Sequence, residues 1–171
     1  MGLNVDDLIG RVKVPVRSVT IVLDASLMAE YDELREKLDA ANRSQARMGQ
    51  ANEALELAQR MAELEEQMRE ASATFQFKGI SKNALNVITK RFPPKKGTNL
   101  DWDVDAGSVA YAAACSHEPA MTEDEAGRLC DALAQGQWEK LFNTAWMATK
   151  GDGSVPFSAR ASELISQNAS K

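Results

Sequence analysis

Two consecutive apolar seams run through the first half of the sequence, and each has the spacing of a helix that packs along one narrow stripe. Apolar residues recur at alternating intervals of three and four over 27–48 and again over 54–71. Neither stripe stabilises a helix in water by itself, so the two are expected to bury against each other or against a second copy. The seam positions are Leu27, Tyr31, Leu34 and Leu38 in the first stretch and Leu57, Met61, Leu64 and Met68 in the second.

The seams predict an antiparallel helical hairpin, because Gly49 within residues 48–50 lies between them and can end the first helix. Residues 17–23 before the hairpin and 74–78 after it alternate apolar and polar side chains, which is the period of strands. The hairpin returns the chain to its origin, so we expect these strands to pair antiparallel at its base. The predicted fold is mainly α with a small two-stranded β element, in the order strand, hairpin, strand, followed by a compact C-terminal helical domain.

Capping residues predict short helices in the second half of the chain. Ser81 is expected to cap one helix and Asp105 an alanine-rich one. Thr122 begins a capping box for a third, which Gly136 is expected to end. After this helical part, the composition changes to small and polar residues typical of a flexible tail. The predicted divisions are 1–80 for the strands and hairpin, 81–150 for the C-terminal helical domain and 151–171 for the tail.

The last predicted helix carries a wide aromatic stripe. Its large apolar residues recur at i, i+3, i+4 and i+8, which is broader than two short neighbouring helices cover. Part of the stripe is therefore a candidate partner-binding surface, and the alternative is that all of it is core. The residues are Trp138, Leu141, Phe142 and Trp146.

Composition and charge limit the classes of partner that the protein is expected to bind. The net charge is −5, no secretory leader is evident, and no apolar run reaches 18 residues, so we predict a cytoplasmic protein that does not bind membranes. Residues 78–96 contain six basic side chains and no acid, whereas 101–131 contain eight acids and one base. These blocks can pair within a subunit, between subunits or with a partner. Nucleic acid is not favoured, because only Phe92 interleaves the basic block with an aromatic ring.

No pattern of catalytic, cofactor-binding or metal-binding residues is present in the sequence. The two cysteines and the single histidine lack the paired Cys-x-x-Cys spacing of zinc sites. The aspartates that start at Asp101 resemble the beginning of a calcium loop, but Ala106 stands where glycine is needed and Ala112 where a bidentate glutamate is needed. The sequence has neither a phosphate-binding glycine loop nor a nucleophile motif. We therefore predict a protein that is not an enzyme.

Several motifs occur in a distinctive order. A charged helical hairpin precedes the Phe-x-Phe strand at Phe75 and Phe77, and the next helix ends at Pro93-Pro94. An Asp-rich entry then leads into an alanine- and cysteine-bearing helix, followed by a Pro-x-x-Thr-x-Asp start and a Gly-x-Trp-x-x-Leu-Phe segment at 136–142. This order resembles the tail assembly chaperones of long-tailed bacteriophages, particularly those of actinobacterial hosts, over about residues 16–150. It departs from that family at 105–116, which lacks the family's double proline and double cysteine.

The resemblance implies a function in the infected host cell. It implies a chaperone, located in the host cytoplasm and absent from the mature virion, that binds the tape measure protein, keeps it soluble and promotes assembly of the tail tube around it. The tail tube protein, further copies of the chain in a homo-oligomer and a longer frameshifted form of the chain are the other implied partners. The family's programmed ribosomal slip is compatible with some of the codons that encode Thr149, Lys150 and Gly151, and a similar site could be encoded at Lys96 and Gly97. With a slip at the first of these sites, residues 1–150 would be shared by two products. The alternative is a coiled-coil structural or head-scaffolding protein of the phage particle.

Overall fold

The computed structural model describes residues 4–44 and 51–151, which form seven helices and a three-stranded sheet. The fold is mainly helical, as predicted. In chain order the elements are α1 (Val5–Arg11), β1 (Val16–Val22), α2 (Ala25–Ser44), α3 (Ala51–Glu70), β2 (Ser72–Lys78), α4 (Lys82–Arg91), α5 (Val104–Cys115), β3 (Ser116–Glu118), α6 (Glu123–Ala132) and α7 (Gln135–Lys150).

The sheet has the order β1, β2, β3, and both pairings are antiparallel. Val22 faces Ser72 at the base of the hairpin, so the predicted pairing of the two strands is confirmed. The predicted number of strands is wrong, because β3 adds to the other edge of β2. This third strand follows α5 directly, and the Ser116 hydroxyl at its start accepts the N–H of Met121 at 2.8 Å, which fixes the turn after it.

α2 and α3 form the predicted hairpin. The Tyr31 hydroxyl donates to the Glu65 carboxylate at 2.9 Å, and the Arg60 guanidinium donates to Glu30 at 2.8 Å. In one unbroken helix, partners 30 or more residues apart would lie about 45 Å or more from each other. Two helices lying side by side within one chain are therefore confirmed. The break predicted at 48–50 lies outside the described residues.

One hydrophobic core joins both halves of the chain. It contains Phe75 and Phe77 from β2 together with Tyr111 from α5 and Leu141 from α7. α7 packs on β1, β2 and α5, and it comes so close to the end of β2 that a Cβ at Gly79 would collide with a carbonyl oxygen of α7. The predicted boundary between 80 and 81 therefore does not separate two cores. The predicted tail lies outside the described residues from residue 152 onward.

Helix caps agree with the sequence at two of the four predicted positions. Ser81 caps α4 through its side chain, and Thr122 begins a complete capping box on α6. Asp103, not Asp105, caps α5. Gly136 does not end α6, which already stops at Ala132, but lies in the first turn of α7.

Candidate functional site

The aromatic stripe of α7 is mostly core. Trp138 is 6% exposed and Leu141 is 0% exposed, whereas Phe142 and Trp146 are half-buried against the same core cluster. Leu141 thus offers no surface to a partner while α7 is packed, and Trp138 offers only the small exposed part that lines a second pocket together with Phe142. The reason is that α7 is covered from two sides, by α5 and by the sheet, and not by short helices alone. Partner binding stays a prediction for all four residues, and Phe142 and Trp146 have the more exposed side chains.

Four aromatic rings form a continuous cluster around the end of this stripe. Trp146 stacks on Trp102 with ring centroids 6.3 Å apart and on Phe142 with centroids 6.2 Å apart. Tyr111 packs at 5.5 Å from the Trp146 ring and 5.6 Å from Phe142. Such ring pairs add roughly 0.5–1.5 kcal/mol each beyond their burial. Trp102 is 4% exposed and lies before α5, where no periodic pattern marks it as core.

A groove of about 550 Å³ opens beside this cluster, between α4 and the C-terminal end of α7. Leu85, Trp102 and Trp146 give it apolar walls, and Lys82 and Lys150 are among its polar residues. The Lys150 ammonium lies 5.1 Å from the centre of the Trp146 ring, a cation–π distance. We define these residues, together with Ile80 and Thr149, as the aromatic groove, which combines apolar area with positive charge at its rim.

Tyr111 and Cys115 are buried behind the groove, and the half-buried Thr149 lies beside them. The Thr149 hydroxyl accepts the N–H of Ile80 at 3.2 Å and lies 3.6 Å from the Cys115 sulfur. Burial raises the pKa of the Cys115 thiol and of the Tyr111 phenol, so both stay protonated at neutral pH. The Tyr111 hydroxyl is buried without a well-formed hydrogen bond. A neutral thiol and a neutral phenol are poor nucleophiles, so this cluster acts as packing.

The hairpin presents a different kind of surface. Every seam residue on both helices is buried or half-buried, and Leu64 is 0% exposed, which places the seam between the helices. No described residue of α2 or α3 belongs to the core cluster, so the hairpin stands outside the body of the protein. Its outer face is charged, with an ion pair between Arg69 and Glu66 and another between Arg35 and Asp32 at 3.2 Å.

The opposite charge blocks pair partly within the subunit. Arg91 donates two hydrogen bonds to the Glu123 carboxylate, at 2.8 and 3.0 Å, and this contact lowers the pKa of Glu123. Lys95 lies 3.4 Å from Asp103 and 3.3 Å from Asp105. These pairs tie α4 and the following loop to α5 and α6. Among the described residues, the other four lysines of the basic block have no ion pair.

Residues 4–44 and 51–151 contain no group of three His, Cys, Asp or Glu side chains placed to hold a metal ion. Among the helices that these residues form, none combines the length and apolar character that crossing a membrane requires. A scan against protein-family models and searches of curated proteins and of solved structures find no match to this chain.

Proposed function

We propose that this chain is a non-catalytic tail assembly chaperone of a long-tailed bacteriophage, which binds the tape measure protein, keeps it soluble and promotes assembly of the tail tube around it. The support from sequence is the order of motifs from the first strand to α7. The support from structure is the helical hairpin, which packs mainly on itself and contributes nothing to the core. An element outside the core is available for a partner.

The shape of the hairpin suits an elongated helical client. Each of its helices has 20 residues, so the hairpin is about 30 Å long. A long helical partner offers repeated apolar and charged positions along its length, which helices placed alongside can match. Several chaperone copies on one client would also bind more tightly than one copy through multivalency.

The hairpin can be removed without touching the core, which gives a direct test. Leu23 donates its N–H to the Ala71 carbonyl at 2.8 Å, and the Ala71 N–H, which bonds to Gln67 in α3, becomes free to pair with Leu23 once α3 is removed. Joining Leu23 to Ala71 through Asn-Gly, a favoured two-residue turn, replaces the hairpin by a tight β-turn. The shortened protein should fold, with near-native tryptophan fluorescence and a cooperative thermal transition.

Co-expression with the tape measure protein then measures the function. The full chain should keep the client soluble and co-purify with it, whereas the folded, hairpin-less variant should do neither. Equal solubilisation by the two proteins would contradict the proposal that the hairpin binds the client. Mass spectrometry of purified virions separates the alternative, since a structural or scaffolding role that persists in the particle predicts stoichiometric amounts of this chain there.

A further inference from the structure

The last turn of α7 lies at the aromatic groove. Thr149 and Lys150 are the last two residues of this helix, and both line the groove. Gly151 then ends the helix with a φ of 59°, a value that favours glycine. The chain from residue 152 onward therefore starts next to the groove.

The lining of the aromatic groove indicates what can fill it. Its volume of about 550 Å³ lies within the roughly 300–1,000 Å³ of pockets that enclose small ligands, so it has room for a few side chains. Leu85 and Trp146 are only half-buried and supply apolar walls. Lys82 and Lys150 supply two positive charges against the single negative charge of Asp101. An occupant with apolar side chains and a carboxylate suits this lining.

The sequence that follows Gly151 has this composition. Asp152 supplies a carboxylate, and the segment 155–157, which reads Val-Pro-Phe, is the only run of three apolar residues between 152 and 171. Phe157 is also the only aromatic residue after Trp146. The proline ring fixes one backbone dihedral, so this segment loses less conformational entropy on docking than a freely rotating one.

The connection is long enough for this segment to enter the groove of its own chain. An extended chain spans at most about 3.3–3.6 Å per residue, so Phe157 can lie up to about 20 Å from Gly151. Trp146 is five residues before Gly151, about 7.5 Å along the helix. Gly153 eases the reversal that the chain needs. A tether this short also gives an effective concentration in the millimolar range, which populates even a weak contact.

We infer that the segment 155–157 occupies the aromatic groove of its own chain, with Phe157 against Trp146 and Leu85 and with Asp152 beside Lys82. The contact covers the exposed parts of the two apolar walls. A partner can reach this groove only by displacing the segment. This contact goes beyond the proposed function, because it does not depend on which client the hairpin binds.

A spin label just beyond the segment tests the contact in the full chain. Ala159→Cys carries the nitroxide in a Cys130→Ala background, and Cys115 is buried and stays unlabelled. Nuclear magnetic resonance then measures paramagnetic broadening. The indole N–H of Trp146 and the amide of Leu85 should both broaden, and Trp146→Phe assigns the indole signal.

Substitutions separate docking from the mere closeness that the tether imposes. Phe157→Ala should weaken docking by about tenfold or more, so both signals should broaden less. Lys82→Glu should act in the same direction. Ile165→Ala is the matched control, since it removes an apolar side chain outside the segment and should leave the broadening unchanged. Without any label, Phe157→Ala should shift the Trp146 indole signal, and Ile165→Ala should not.

Four results would overturn the inference. The first is broadening and indole shifts that Phe157→Ala leaves unchanged, because the tether alone would explain them. The second is an equal effect of Ile165→Ala. The third is broadening of an isotope-labelled chain without nitroxide when it is mixed with a nitroxide-labelled chain, which would identify a second copy as the occupant. The fourth is broadening centred on the exposed side chains of Val5 and Ile9, which would place the segment on α1 instead.

Discussion

Replacing Gly107 with alanine tests how the aromatic cluster is packed. Gly107 is buried in α5, and a Cβ there would lie 2.5 Å from one carbon of the Trp102 ring and 2.9 Å from the Phe92 ring. Carbon atoms do not approach this closely, so the Trp102 ring or the helix has to move. Because Trp102 is 4% exposed and stacks on Trp146, moving its ring toward the groove would break that stacking.

Two opposing contributions determine how Gly107→Ala changes the free energy of unfolding. Alanine favours a helix over glycine by about 1 kcal/mol, whereas overpacking a core costs about 1–3 kcal/mol. Turning Trp102 away from Trp146 would cost about 0.5–1.5 kcal/mol more in ring stacking. The net expectation is a loss of about 1–3 kcal/mol in the free energy of unfolding, or about 2–12 °C in Tm for a chain of this size.

Gly127 provides the matched control within α6. A Cβ at this position would lie 3.8 Å from a Val109 methyl group, an ordinary van der Waals contact. Gly127→Ala should therefore stabilise the protein by about 0.5–1 kcal/mol through helix propensity alone. Urea and thermal denaturation followed by circular dichroism measure both variants. If Gly107→Ala stabilises the protein as much as Gly127→Ala does, the proposed packing of Trp102 against α5 is wrong.

Three further predictions concern the buried residues around this cluster. Tyr111→Phe removes a buried hydroxyl that lacks a well-formed hydrogen bond, so urea denaturation should show an unchanged or slightly higher free energy of unfolding. A decrease of more than about 1 kcal/mol would show that the hydroxyl does have a hydrogen-bond partner. Phe142→Ala should lower the free energy of unfolding by about 2–3 kcal/mol, which is less than for a fully buried ring because Phe142 is half-buried. A Tm near that of the wild type would instead indicate that Phe142 belongs to a partner-binding surface. Burial raises the pKa of Cys115, so the thiol keeps its proton in the folded protein at pH values where the unfolded chain, with the ordinary thiol pKa of 9.0, releases it. The free energy of unfolding should therefore fall as pH rises above 9. If a Cys115→Ala variant shows the same dependence on pH, this thiol is not its cause.

Local patterns in the sequence are sufficient to predict the hairpin and the start of some helices. The seams repeat over several turns, and each buried position leaves a visible spacing, so α2 and α3 follow from periodicity. The caps Ser81 and Thr122 are likewise local, because a cap bonds to a backbone group three residues away. Asp103 and Asp105 are equally good caps by type, and only the structure distinguishes them.

The features that local patterns miss depend on contacts between distant segments. β3 has only three residues and becomes a strand because β2 offers a free edge beside it. Trp102 sits in a loop among acidic residues, and its burial depends on rings from α5 and α7. The aromatic groove forms because α4 and α7 lie next to each other, and the sequence pattern of neither helix alone predicts this contact. The contact of α7 with the sheet joins the two predicted divisions in one core, and no local pattern indicates this contact.

The position of α7 determines which variants are informative about partners. Its first turn holds the Val22 carbonyl at the hairpin end of the sheet, and Thr149 in its last turn holds Ile80 beside the groove. A core substitution in α7 would therefore disturb the hairpin base and the groove together, and lost binding would not identify the surface involved. Glu56 and Lys82 are exposed and lie outside the core cluster, so their substitution changes one surface while α7 remains packed.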